Sequence, residues 1–367
     1  MRRSILLLPA IIVAGLCSAC TQSPSPTSGL SCTSLPTIQV LEPGYSPLKR
    51  PYSAPNDPVN IQQNYQLRPE ISDDLSTAFS NAPQRVKDDL CGLTGVFIDS
   101  SSCPGGNVNN CQTSAFPISW GYRSSENTDR GNMYIAIPGS LWARGDNSHA
   151  ILLSSYEQTV LNYFVQHAGN SSWRTTPTIS RANPDTSWAG VLAALSHELG
   201  HVKFNFTIHP NATHGRDYNF ATLQPCSTGT SSIPDFFSGW SYGNNPKRLV
   251  PKDTWRLFSD QTSDDNGLKV DHGMAPTLKD FTISTNDPNQ LLYILYTESN
   301  QPWASFWGAW SPDEDFVETY VLYALSANVQ NIYISINGHS PYDIISGVSG
   351  KPALQNKVQC VANLSVI

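Results

Sequence analysis

His197, Glu198 and His201 fall within one short run, His197-Glu198-Leu199-Gly200-His201. If that run is helical, residues four apart sit one turn above each other on the same face. The two imidazoles then project side by side and can share one zinc ion. Glu198 lies one step round from His197, where a carboxylate can take a proton from a water held at the metal's open position. The chain holds 8 His and 8 Glu in 367 residues, so a shuffled version would contain this H-E-x-x-H spacing roughly 0.004 times. The bland alternative is a solvated helical face that carries two histidines and a glutamate.

The flanking residues must supply the helix. Asp185 or Thr186 suits the N-cap, and the Ala/Leu content of the following residues favours helix. Trp188, Leu192, Leu195 and Leu199 recur at three- and four-residue spacing, which predicts a buried stripe with the His-Glu-His face turned to a cleft. Gly200 costs a helix about 1 kcal/mol relative to Ala. A bare backbone there would let a neighbouring element approach closely. The helix is expected to end near Phe204, ahead of Pro210 and Asn211.

Two histidines make half of a catalytic zinc site, which takes three protein ligands and a water. A metzincin continuation would place Gly at 204 and His at 207, where this chain has Phe204 and Thr207. A Gly-Thr-x-Asp aspzincin continuation is also absent. The stronger candidate lies at Ser311 to Leu325. Ser311 reads as an N-cap, Pro312 as the first helical residue, and Asp313 and Glu314 suit the positive end of the helix dipole. Phe316, Tyr320, Tyr323 and Ala324 can form its apolar face. Glu314 and Glu318 are four apart and share another face.

H-E-x-x-H followed later by E-x-x-x-E resembles the gluzincins, zinc peptidases with a third ligand on a second helix. The resemblance implies that Glu314 ligates Zn²⁺ with His197 and His201. It also implies that Glu318 holds His197 in its metal-binding tautomer. A capping box, Ser311-x-x-Glu314, would instead occupy Glu314 at its own helix terminus and leave Glu318 as the ligand. The gap from His201 to Glu314 is longer than is usual for the group. Asp217, Asp235, Asp271, His272 and Glu298 lie within it as further candidates.

The N-terminus bears on compartment. Arg2 and Arg3 precede an apolar run from Ser4 to Gly15, too short to span a membrane, and Leu16-Cys17-Ser18-Ala19-Cys20 follows. Residues 1–20 resemble a bacterial lipoprotein signal, with Cys20 acylated after cleavage. Cys17 departs from the usual aliphatic residue, which keeps ordinary secretion or a periplasmic location open. Residues 21–31 read as a Pro/Ser tether. Cys32, Cys91, Cys103, Cys111, Cys226 and Cys360 then remain, an even number that allows three disulfides in an oxidising compartment. Cys103 and Cys111 form the expected local pair, and Cys32 with Cys360 could clip the two ends together. Loss of Arg2 and Arg3 takes the net charge from −7 to −9. No basic run points to nucleic acid.

Residues 32–367 are read as one α+β zincin-like catalytic domain with a loop-rich insertion at about 205–300. It comprises a small twisted sheet with a backing helix, the H-E-x-x-H helix and a mainly helical or loop C-terminal part. Residues 71–90 read as a helix burying Leu75, Phe79, Val86 and Leu90, followed by strands at 94–99, 115–122 and 132–138 and a helix over 149–167. Residues 132–138 are similar to the edge strand on which zincins bind peptide by strand addition. His272 is a candidate for stabilising the tetrahedral intermediate, in competition with Tyr293, Tyr296 and Tyr320. Trp303, Phe306, Trp307 and Trp310 suit packing beneath the metal helices.

The sequence therefore predicts a monomeric zinc endopeptidase acting on protein or peptide substrates outside the cytoplasm. Its contact with a membrane would run through the Cys20 lipid. The alternative is an inert or metal-stabilised cell-surface binding lipoprotein on the same scaffold.

Overall fold

The computed structural model describes residues 32–43, 61–93, 95–101, 103–111, 120–122, 134–142, 179–182, 187–208, 226, 240–242, 249–251, 258–259, 277–278, 289, 293, 296–297, 303–305, 308, 312–336, 338–365 and 367. These residues mix helix and sheet, in keeping with an α+β class. Cys32–Ile367 forms one compact unit.

In chain order the elements are β1 (Ile38–Val40), α1 (Pro69–Asn81), α2 (Gln84–Cys91), β2 (Gly95–Asp99), β3 (Trp120–Tyr122), β4 (Tyr134–Pro138) and β5 (Ile179–Ala182). Helix α3 (Ser187–Ile208) follows, then two short hairpins, β6 (Trp240–Tyr242) with β7 (Leu249–Pro251) and β8 (Phe258–Ser259) with β9 (Thr277–Leu278). The C-terminal part holds α4 (Pro312–Ser326), β10 (Tyr333–Ile336), β11 (Tyr342–Asp343), α5 (Ile344–Gly347) and α6 (Pro352–Asn363).

The helix expected over residues 71–90 is two helices. Proline disfavours helical geometry in the residue before it, and Ala82, which precedes Pro83, is extended at φ −66° and ψ 146°. Leu75, Phe79, Val86 and Leu90 are buried as their spacing predicts.

The main sheet runs β1-β2-β4-β3. Strands β1, β2 and β4 are parallel, and β3 pairs antiparallel with β4. All five residues of β2 and of β4 are buried, as expected for strands covered on both faces. This corrects the edge-strand assignment. Tyr134–Pro138 is interior, hydrogen-bonded to β2 on one side and β3 on the other, so its backbone cannot receive another strand. Among the described strands, the edge beside β4 is β3. The unbroken apolar run Tyr134-Ile135-Ala136-Ile137 is itself the signature of an interior strand. A second sheet, β11-β10-β5, is antiparallel.

Helices α3 and α4 pack against each other more extensively than any other pair of elements. Helix α3 also meets α1, α2, β3 and β4, while α4 meets α6. Leu192, Leu195 and Leu199 are fully buried, but so are Val191 and Ser196, so α3 is enclosed nearly all round rather than along one stripe. It runs to Ile208, one turn beyond its expected end at Phe204. Residues 183–186, where its cap is expected, lie outside the described residues. Gly200 marks the close approach: a Cβ there would stand 3.2 Å from Val317 Cα on α4. Phe204 and Phe316 seal the same seam with ring centroids 5.3 Å apart.

Three disulfides join Cys32–Cys91, Cys103–Cys111 and Cys226–Cys360, and they point to an oxidising, extracytoplasmic setting. The Cys103–Cys111 pair is the local one expected, whereas Cys32 does not pair with Cys360. Parallel register explains the difference. Ile38 lies opposite Val96, so Cys32, six residues before Ile38, and Cys91, five before Val96, reach the same end of the sheet. Cys360 on α6 instead ties down Cys226 from the loop-rich segment. No helix among the described residues is long and apolar enough to cross a membrane.

Candidate metal centre

Helical spacing on α3 does bring the two imidazoles together. His197 Nε2 and His201 Nε2 are 3.3 Å apart, and the rings meet edge to face with centroids 4.9 Å apart. Glu198 Oε1 lies 3.9 Å from His197 Nε2. His197, Glu198 and His201 thus form a group able to hold a metal ion.

Helix α4 faces them across the seam. Glu314 Oε1 is 3.7 Å from His201 Nε2, and its Oε2 is 3.9 Å from His197 Nε2. Its carboxylate therefore reaches both histidines, while Ser311, the other half of the alternative capping box, lies outside the described residues. Glu318 takes the other side of the same ring, with Oε1 3.0 Å from His197 Nδ1. His201 and Glu314, 113 positions apart in sequence, are brought together by this one helix–helix contact.

Burial is asymmetric across the group. The Glu198 and Glu314 side chains are 4% and 3% exposed, against 14% for His197 and 19% for His201. The carboxylates form the floor, and the imidazoles reach toward solvent.

The hydrogen bond to Glu318 fixes the chemistry of His197. A carboxylate only accepts, so Nδ1 carries the hydrogen and a neutral ring presents its Nε2 lone pair to His201. Two such lone pairs 3.3 Å apart repel unless a proton or a metal ion lies between them. Burial disfavours charging His197, but the Glu318 hydrogen bond and then the Glu314 carboxylate outweigh it, and the imidazolium survives above its ordinary pKa of 6.5.

The sign of this shift predicts a pH dependence. In the metal-free protein His197 contributes stability that is fully present below pH 6.5 and lost as pH rises through the higher folded value. A metal ion needs the neutral ring, so it binds more tightly as pH rises over the same window. The melting temperature of chelator-treated protein is expected to hold below pH 6.5 and to fall as pH rises above it, while that gained on adding metal grows. Parallel profiles for the two forms would contradict this assignment of the proton.

The remaining expected positions divide. Tyr320 is fully buried and its hydroxyl donates to Asp89 Oδ2 at 2.6 Å, behind α4 and away from the histidines. That placement withdraws it as a stabiliser of a reaction intermediate. Tyr296 is 1% exposed, and Tyr293 stacks on His339 at 4.2 Å between centroids. Trp303 is buried as a packing residue. Cys20, Asp217, Asp235, Asp271, His272, Glu298, Ser311, Phe306, Trp307, Trp310 and the helix expected over 149–167 lie outside the described residues.

Sequence reasoning passed over Asp89 and Lys203. Lys203 is fully buried and bonds Asp89 Oδ2 at 2.5 Å. Its signal was a single cation between Val202 and Phe204 inside an apolar helix. Asp89 gave none, since Lys87-Asp88-Asp89 reads as a solvated face.

Comparison of the chain with protein-family models, with curated proteins and with solved structures gives no match.

Proposed function

We propose that this chain is an exported zinc-dependent peptidase of zincin-like architecture, with His197, His201 and Glu314 as the metal ligands. One observation carries the reading: two Nε2 atoms and a buried carboxylate converge on a single point, and Glu318 holds His197 in the tautomer that a metal requires.

The donor set fits zinc. Ligands about 2.0–2.1 Å from a tetrahedral ion are separated by about 3.3–3.4 Å. The two Nε2 atoms stand at 3.3 Å, and the Glu314 oxygens are a few tenths further from them. With both rings neutral, Glu198, Glu314 and Glu318 bring three negative charges to a largely buried place, which a dication offsets. Bound zinc would acidify a water to a pKa of about 7 and polarise the carbonyl to be attacked.

The chain's own residues do the rest. Glu198, whose carboxylate lies 3.9 Å from His197 Nε2, would take the proton of the attacking water and deliver it to the leaving amine. Glu318 keeps His197 oriented and strengthens it as a ligand. Strand β3, at the sheet edge among the described residues and packed beside α3, is the strand a peptide substrate would extend. The three disulfides support action outside the cytoplasm, and Cys20 is the residue that would carry a lipid anchor.

The test is metal content together with hydrolysis. Purified protein is expected to carry one zinc per chain by elemental analysis and to cleave internal bonds in a mixed peptide library, with both properties lost in His201→Ala. Zinc without cleavage would favour a metal-stabilised binding protein. Neither zinc nor cleavage would remove the reading altogether.

A further inference from the structure

On the far side of the α3–α4 seam lies a second polar cluster. Asp89 on α2, Lys203 on α3 and Tyr320 on α4 are all fully buried. Asp89 Oδ2 accepts from Lys203 Nζ at 2.5 Å and from the Tyr320 hydroxyl at 2.6 Å, while Oδ1 accepts from the Ile367 backbone N–H at 3.0 Å. Lys203 also donates to the Ser365 carbonyl at 3.1 Å, and its Nζ lies 5.6 Å from the centre of the Tyr320 ring.

The positions of these residues follow a pattern. Lys203 is two residues beyond His201, and Tyr320 is two beyond Glu318. At 3.6 residues per turn, a step of two is a rotation of about 200°, so each faces away from the site residue on its own helix. One carboxylate from a third helix therefore grips the backs of both helices that supply the metal-facing residues. Between cluster and site, Gly200 and Val317 bring the two backbones together.

Stability alone is a poor reason for such a cluster. Apolar residues of the same volume in place of a buried ion pair are often as stabilising or more so. What apolar packing does not provide is direction: hydrophobic cores lose unique register before they lose stability. A metal site, in contrast, needs its ligands held to about 0.5 Å.

We propose that Asp89, Lys203 and Tyr320 form a latch that sets the register of α3 against α4, and with it the distance from His197 and His201 to Glu314 and Glu318. They are positioning residues for the metal centre. The inference rests on the reading that these four residues surround a metal.

Cobalt(II) titrated into the full-length, disulfide-intact, metal-free protein provides the probe, read by visible absorption and by competition with a chelator. Tyr320→Phe keeps the ring and removes one hydrogen bond, and Asp89→Asn keeps the shape and removes the charge. Each is expected to lower cobalt affinity about tenfold, within the range for groups that orient metal ligands, and to alter the visible spectrum while far-ultraviolet circular dichroism is unchanged. Leu354→Ala is the control. It opens space in a separate small cluster with Ala304 and Leu322, and is expected to lower the melting temperature at least as far while cobalt affinity stays within twofold.

Wild-type affinity and spectrum in both Tyr320→Phe and Asp89→Asn would overturn the latch and leave the metal reading standing. An equal loss in Leu354→Ala would also overturn it, since general loosening would then suffice. A wild-type chain that binds no cobalt would overturn the metal reading itself, and the latch with it.

Discussion

Glu198→Gln is expected to yield a protein that still binds one zinc ion and has lost peptidase activity by about 10²–10⁴-fold, the usual contribution of a positioned general base. Glutamine has nearly the same shape and can still make hydrogen bonds, but it cannot take a proton. At the middle of that range, about 10³-fold, the loss corresponds to about 4 kcal/mol of transition-state stabilisation. Distance to His197 does not separate the two acids, since Glu198 Oε1 and Glu314 Oε2 each stand 3.9 Å from its Nε2; Glu314 also reaches His201 Nε2 at 3.7 Å. Elemental analysis with kcat/KM on one peptide decides the matter. Activity at the wild-type level would remove the base. Loss of zinc along with activity would make Glu198 a ligand and reopen the role of Glu314.

The parts of this site that could be read from the sequence are those governed by one helix at a time. Four-residue spacing places His197 beside His201 and Glu314 beside Glu318 whatever the rest of the chain does. Which acid faces which nitrogen depends on how α3 and α4 cross, and no local pattern carries that angle. The same limit explains the disulfides. Cys103 and Cys111 are close in sequence and pair as expected, whereas Cys32–Cys91 follows from the parallel pairing of β1 with β2, a non-local fact. The interior place of β4 was legible in its unbroken apolar run, and the resemblance to a zincin edge strand drew the assignment one strand too far. Burial of Asp89 and Lys203 was not legible, because charged residues are almost never fully enclosed unless paired and the partner sits 114 residues away.

That buried pair carries the second large expectation. Lys203→Met is expected to destabilise the protein by about 3–5 kcal/mol, the cost of leaving an enclosed charge without its partner. Burial already works against the lysine: it pulls the ammonium below its ordinary pKa, with Asp89 opposing the shift. The methionine side chain fills much of the same space, so a cavity accounts for little of the loss. Removing both charges should therefore cost less than the two single losses added together. Asp89→Leu combined with Lys203→Met is expected to lose less than the sum of the two single variants, since neither charge remains to be desolvated. A loss remains because Tyr320 and the Ile367 N–H both lose the carboxylate that accepts from them, and each buried donor left unmatched costs about 1–3 kcal/mol. Chemical denaturation of the metal-free wild type, the two single variants and the double variant gives the full cycle. Additive losses from the two substitutions would mean that the pair is not coupled. The grip of Asp89 on α3 would then reduce to ordinary packing.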